Sequence, residues 1–277
     1  MAFGQGIVRV SPRAFESMHL TIAQYLLGAV SGVFVGFSLG LVGGGGSILA
    51  VPLIVYLVGV SDPHLAIGTT AVAVAANAAI NLLTHAGKGK VKWRCAGTYA
   101  AAGIVGAFLG STLGKAIDGQ KLLFLFALLM LVVGVLLLRR RQETGDPDVN
   151  LTRGNAPKLA AAGFLTGGLS GFFGIGGGFL IVPGLMFATG MPIICAVGSS
   201  LLSVAAFGAT TAANYAISGW VDWPLAGIFI IGGVAGGFGG TVLAHHLSVR
   251  RGVLNQIFAG LIFIVALYVL YRSRGAF

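Results

Sequence analysis

Gly40-Leu41-Val42-Gly43-Gly44-Gly45-Gly46-Ser47-Ile48-Leu49-Ala50-Val51-Pro52 returns 131 residues later as Gly171-Phe172-Phe173-Gly174-Ile175-Gly176-Gly177-Gly178-Phe179-Leu180-Ile181-Val182-Pro183. Consecutive glycines are poor helix, at about 1 kcal/mol each relative to Ala, so each cluster reads as a break between apolar segments. The rest of the 277-residue chain says what surrounds the breaks: 56% of it is apolar and only 9% is charged. Soluble domains carry about 25% charged residues, so the solvent here is largely lipid. Backbone that is not helical survives at membrane depth only where protein buries it or it lines a cavity.

Working outward, apolar runs lie near 20–42, 47–60, 65–86, 95–114 and 121–138, and again near 159–173, 178–190, 194–217, 223–244 and 253–271. Between the two sets lies the polar stretch 139–158, with Arg139, Arg140 and Arg141, Glu143, Asp146, Asp148 and Pro157. Residues 1–138 therefore form a first transmembrane repeat, 139–158 a cytoplasmic linker and 159–277 a second repeat. With a one-residue gap the offset becomes 130, laying Gly68, Val91, Trp93, Gly97, Gly103, Gly106 and Gly110 on Gly198, Val221, Trp223, Gly227, Gly233, Gly236 and Gly240. The expected fold is an all-α polytopic bundle of two repeats of about five segments, eight to ten spans, with glycine-rich helix breaks. An odd number of spans per repeat inverts the second, the arrangement in which secondary transporters build a site between halves. The second segment of each half is short enough for a half-helix or re-entrant piece.

The basic residues orient the bundle. With the N-terminus outside, eleven of the seventeen Lys and Arg residues fall on the inner side, including Lys88, Lys90, Lys92, Arg94 and Arg139–Arg141, as the positive-inside rule requires. Both termini are then periplasmic, in an inner membrane.

A helix beginning just past a break aims unpaired N–H groups and its positive dipole end at the cavity, which suits an anion. Candidate binding residues are therefore Gly44, Gly45, Gly46 and Ser47, and Gly176, Gly177 and Gly178. Polar residues within apolar segments add Thr69 and Thr70 with their counterparts Ser199 and Ser200, and Asn77, Asn81 and Asn214. Asn77, Asn81 and His85 share one helical stripe at i, i+4 and i+8. All seven carboxylates, Glu16, Asp62, Asp118, Glu143, Asp146, Asp148 and Asp222, fall in or beside loops, which disfavours a carboxylate coupling site in the membrane. His85 is then the protein group suited to proton coupling. No Lys or Arg interrupts an apolar segment, so anion binding leans on backbone N–H groups and neutral donors.

The two glycine-proline patterns and the segment Ala196-Val197-Gly198-Ser199-Ser200-Leu201 resemble the TauE/SafE family of sulfite and sulfonate exporters, over about 28–270. The resemblance implies a secondary transporter exporting a small sulfur-containing anion, sulfite or an organosulfonate such as sulfoacetate. A passive anion channel using the same breaks is the alternative. An intramembrane serine protease would use Gly168-Leu169-Ser170-Gly171 with His245, a short match in a chain of 46 glycines. No enzymatic activity, cofactor, metal or nucleic-acid partner is expected, since no phosphate-binding or nucleotide motif is present and the adjacent His245 and His246 cannot readily share a metal. The partners are the anion and the lipid bilayer, and the glycine-rich helix faces suit internal packing or a homodimer.

Overall fold

The computed structural model describes residues 20–42, 44–87, 91–139, 149–246 and 251–274. Among these, nine helices are continuous: α1 (Ile22–Val42), α3 (Pro63–Ala86), α4 (Trp93–Lys115), α5 (Gly119–Arg139), α6 (Ala156–Phe173), α7 (Gly178–Thr189), α8 (Ile193–Ile217), α9 (Trp223–His246) and α10 (Arg251–Arg272). The tenth segment, α2 at 44–58, is composite. It starts as a 3₁₀ turn (Gly44–Leu49), has one α turn (Ala50–Pro52) and ends as a π-helix (Leu53–Val58). Pro52 has no N–H to give the helical ladder, and the wider turn follows directly. Among the described residues six helices are long and apolar enough to cross a membrane; the fold is that of a polytopic helical membrane protein.

Glycine sets the packing. Gly28, Gly32, Gly36 and Gly40 on α1 lie against Leu225, Phe229, Gly233 and Gly237 on α9. Both series advance by four, so the two helices run parallel. In the second half, Gly163, Gly167 and Gly171 on α6 lie against Tyr99, Gly103 and Ala107 on α4, again parallel. The missing side chains let backbones touch, the usual means of helix association in lipid. α1 turns its bulky residues Leu26, Val30 and Phe34 outward, so its polarity of size is the reverse of a soluble helix.

The two halves are thus interlocked, each placing its first helix on the other's fourth. α3 and α8 cross antiparallel, with Gly68 near Tyr215 and Gly208 near Ala75. α3 runs parallel to α9, and α4 parallel to α8. Since α1 and α3 both parallel α9, the short segment between them must run back. It does: Gly46 lies beside Ser38 and Leu39, and Val58 accepts from Gln24 Nε2 at 3.1 Å. α2 therefore returns along most of α1 and is not a loop that dips in and leaves by the same side.

The described aspartates gather at one end of the bundle. Asp62 accepts from the His64 N–H, Asp118 from Gln120 and Asp222 from Leu225, each satisfying free amides at a helix start where negative charge is favoured. α3, α5 and α9 all start at one end, as the contact of Gly119 with Pro63 and of Thr69 with Asp222 requires. Lys92 and Arg94 lie at the other.

Candidate substrate site

The second glycine break is built from left-handed backbone. Gly174, Gly176 and Gly177 have φ of 68°, 65° and 64°, values that residues with a Cβ rarely adopt. The Ile175 N–H donates back to the Ser170 carbonyl at 3.2 Å, and Leu180 and Ile181 both donate to Gly177 at 2.8 and 3.0 Å. α7 therefore starts immediately after the break, and its first amides precede any intrahelical acceptor. A Cβ on Gly176 would come within 2.8 Å of Val74 and 3.2 Å of Val204, residues from the middles of α3 and α8. The first break is made differently, as the 3₁₀ turn containing Gly44, Gly45, Gly46 and the buried Ser47. This turn packs on α7 and α8.

One turn beyond Val74 on the same side of α3 is Asn77. It is 1% exposed, and neither its Nδ2 nor its Oδ1 meets a partner. Buried polar atoms are rarely left so. Asn81 follows at i+4, its Nδ2 donating to the Asn77 carbonyl at 2.9 Å, which leaves the second amide hydrogen of that group. Asn77, Ile80 and Asn81 face Val234, Phe238 and Thr241 of α9 across a cavity of about 30 Å³, room for about two waters. Gly233 and Gly237 provide the space, lying directly against the two carboxamides. His85 continues the stripe, with Nδ1 donating to the Asn81 carbonyl at 3.1 Å.

The structure thus brings Asn77 and Asn81 together on the face of α3 turned to α9, while Gly176 meets α3 one turn earlier, at Val74. It places the other candidates elsewhere. Thr69 Oγ1 accepts from the Asp222 N–H and Ser199 Oγ from the Lys92 N–H, both at 2.9 Å, an equivalent pair of contacts at opposite ends of the bundle. Thr70 and Ser200 donate to their own helices, to Ala66 at 2.8 Å and Val197 at 2.8 Å. These four hydroxyls hold the chain entering α4 and α9 or their own backbones. Asn214 lies towards the acidic end, between α4 and α8.

There it meets a residue the sequence reading leaves in a loop. Lys115, the last residue of α4, turns onto α8 and donates to the Asn214 carbonyl (3.0 Å), Asn214 Oδ1 (2.7 Å) and Ser218 Oγ (2.9 Å). Asn214 Nδ2 donates in turn to Ser111 Oγ at 2.7 Å and Thr112 Oγ1 at 3.0 Å. Lys115 closes α4 and interrupts no apolar segment, but its half-buried ammonium is turned onto α8. Ser111 and Lys115 at i and i+4 point the same way, the signal that could have found it. Ser170 is buried beneath Gly177, whose Cβ would lie 2.6 Å from that of Ser170; the His245 side chain lies outside the described residues.

Inverted, interlocked repeats with glycine breaks and a polar cleft among apolar helices are the architecture of a membrane transport protein. A probable membrane transporter protein of Xylella fastidiosa is 54% identical over 255 residues, covering 92% of this chain and 98% of its own. The probable membrane transporter protein YunE of Bacillus subtilis is 23% identical over 254 residues, covering 83% of this chain and 92% of its own. A third, from Haemophilus influenzae, is 29% identical over 206 residues, 70% of this chain and 75% of its own. The family model described as sulfite exporter TauE/SafE matches residues 28–269, and the chain belongs to that family. No solved structure matches it.

Proposed function

We propose that this transporter exports a small sulfur-containing anion, sulfite or an organosulfonate, across the inner membrane by alternating access. The observation that carries the proposal is Asn77: a fully buried carboxamide with both ends unpartnered, lining a cavity between α3 and α9 one turn past the contact of Val74 with the second glycine break. An oxyanion would take hydrogen bonds from the Asn77 and Asn81 amide groups and from the first N–H groups of α7, replacing its water shell. All these donors are neutral, so the anion is held without a full counter-charge and released readily. The described carboxylates at helix starts, Asp62, Asp118 and Asp222, are bonded to backbone at the far end and do not repel it.

The cleft lies in the half of the bundle where α3 and α9 finish, the end that carries Lys92 and Arg94. By the positive-inside rule that end is cytoplasmic, the loading side for an exporter, and the termini are then periplasmic. His85, one turn past Asn81 on this side, is the protein group we assign to any coupled proton.

Ligand-dependent melting of the purified protein tests the substrate class, since binding to the folded state alone raises stability. Sulfite, sulfate, thiosulfate, sulfoacetate, taurine and acetate are compared. A selective rise with sulfite or sulfoacetate, lost in Asn77→Ala, supports the reading; no rise with any sulfur anion in the folded wild type rejects it. Flux of the selected anion from proteoliposomes then separates coupled transport from passive conduction.

A further inference from the structure

The repeat maps the α3–α9 cleft onto a second cleft between α4 and α8 at the opposite end of the bundle. Asn77 corresponds to Phe207, Asn81 to Thr211 and Thr241 to Ser111. The first cleft holds a cavity. In the second, the Phe207 ring lies on Gly103, the counterpart of Gly233, and the Lys115–Asn214–Ser111–Thr112 network ties the helices together. One conformation therefore holds the two equivalent clefts in different states.

We infer that the α4–α8 cleft is the outer half of the anion pathway, that Lys115 is its anion-contacting residue, and that Asn214 holds Lys115 in reserve while that cleft is shut. This rests on the transport reading above and extends it to the exit. All three ammonium hydrogens of Lys115 are used in the shut state, two of them on Asn214, and the ring of Tyr215 lies 6.0 Å below. None of the three aspartates described at this end pairs with it: Asp62, Asp118 and Asp222 are bonded to backbone amides. Moving α8 away from α4 removes every acceptor Lys115 has. An ammonium stripped of its partners in a narrow cleft recruits the nearest small anion, so opening creates an anion site that closing dismantles. A departing anion is thus displaced by the carbonyl and carboxamide of Asn214 as the cleft closes.

Thiol labelling tests this without any transported ligand. Cys95 and Cys195 are buried and are the chain's two cysteines, so Cys95→Ala/Cys195→Ala gives a silent background, verified as folded by size-exclusion chromatography. Thr211→Cys places a reporter at a fully buried position in the cleft, and Ser111→Cys places a second on the facing helix. The probes are sulfonatoethyl methanethiosulfonate, an anion, and its trimethylammonioethyl analogue, a cation. Adding Asn214→Ala is expected to speed labelling at least about tenfold, with the anion several-fold ahead of the cation. Adding Lys115→Gln should keep the speed and abolish that preference, and Lys115→Arg should restore it. Unchanged labelling in Asn214→Ala at both reporters, or an anion preference surviving Lys115→Gln, overturns the inference. Wild-type proteoliposomes that move no sulfur anion would instead sink the transport reading, while the labelling pattern still decides the role of Lys115.

Discussion

Asn77 and Phe207 occupy equivalent positions in the two repeats, each against an equivalent glycine, Gly233 and Gly103. One presents an unpartnered carboxamide to a cavity; the other fills the space with a ring that is 0% exposed. The backbone scaffold is shared, so the difference lies in what the side chain does with the volume that glycine leaves. The lesson is that duplication supplied two clefts, and substitution set two carboxamides and a threonine among the apolar side chains of one and closed the other by packing and by the Lys115 network.

The scaffold shared by both clefts is the feature whose loss has the largest effect. Gly36→Val and Gly167→Val force a branched side chain into the backbone of the facing helix, and overpacking of this kind costs about 1–3 kcal/mol or more. Neither variant should yield monodisperse protein in fluorescence-detected size-exclusion; normal recovery of both would remove glycine contact as the basis of the interlock. Next comes Phe207→Asn, which copies the first cleft into the second. It trades a buried ring for a smaller carboxamide and leaves a cavity on Gly103, which should destabilise by about 2–4 kcal/mol, read as a lowered melting temperature. The converse change, Asn77→Phe, should seat its ring on Gly233 as Phe207 does on Gly103. Transport should fall at least about tenfold, equivalent to 1.4 kcal/mol, with the melting temperature kept; retained flux would show that the cleft is not on the pathway.

A smaller effect probes the symmetric contacts. Thr69→Val and Ser199→Ala each remove one acceptor of a backbone N–H, and each should cost about 1 kcal/mol without altering anion affinity. A selective loss of anion-induced stabilisation would return these hydroxyls to the binding site. Smallest is Gly97→Ala with its counterpart Gly227→Ala. Both glycines are helical and have open space where a Cβ would go, so each gains up to about 1 kcal/mol in helix propensity, and thermal melting should rise slightly in both.

Much of this was legible beforehand. The apolar runs located the segments because lipid demands continuous hydrophobicity, and the paired Pro52 and Pro183 and Trp93 and Trp223 exposed the repeat. Asn77 and Asn81 stood out as neighbours on one helical stripe. What sequence could not show is which helices face each other. Gly28 and Leu225 touch across almost two hundred residues, and no local period encodes such a pairing. For the same reason Thr69 and Ser199 read as ligands until their partners, the N–H groups of Asp222 and Lys92, came into view. Lys115 was hidden because a lysine at the end of an apolar run reads as solvent-facing; only Asn214, on another helix, turns it inward. The internal make-up of α2 was equally obscure, since an apolar run with one proline is compatible with α, 3₁₀ or π turns.

The parallel pairing of α1 with α9 also constrains how the protein is made. At a translation rate of about 5–20 residues per second, α1 waits on the order of 10–40 s in the bilayer before its partner is synthesised. Through that interval its glycine stripe is open to any other helix nearby. Neither half is a self-contained unit at any stage. A single-repeat ancestor would have met the same requirement by inserting in both orientations and pairing two oppositely inserted copies, each lending its first helix to the other's fourth; fusion then made an obligatory encounter between molecules an event within one chain.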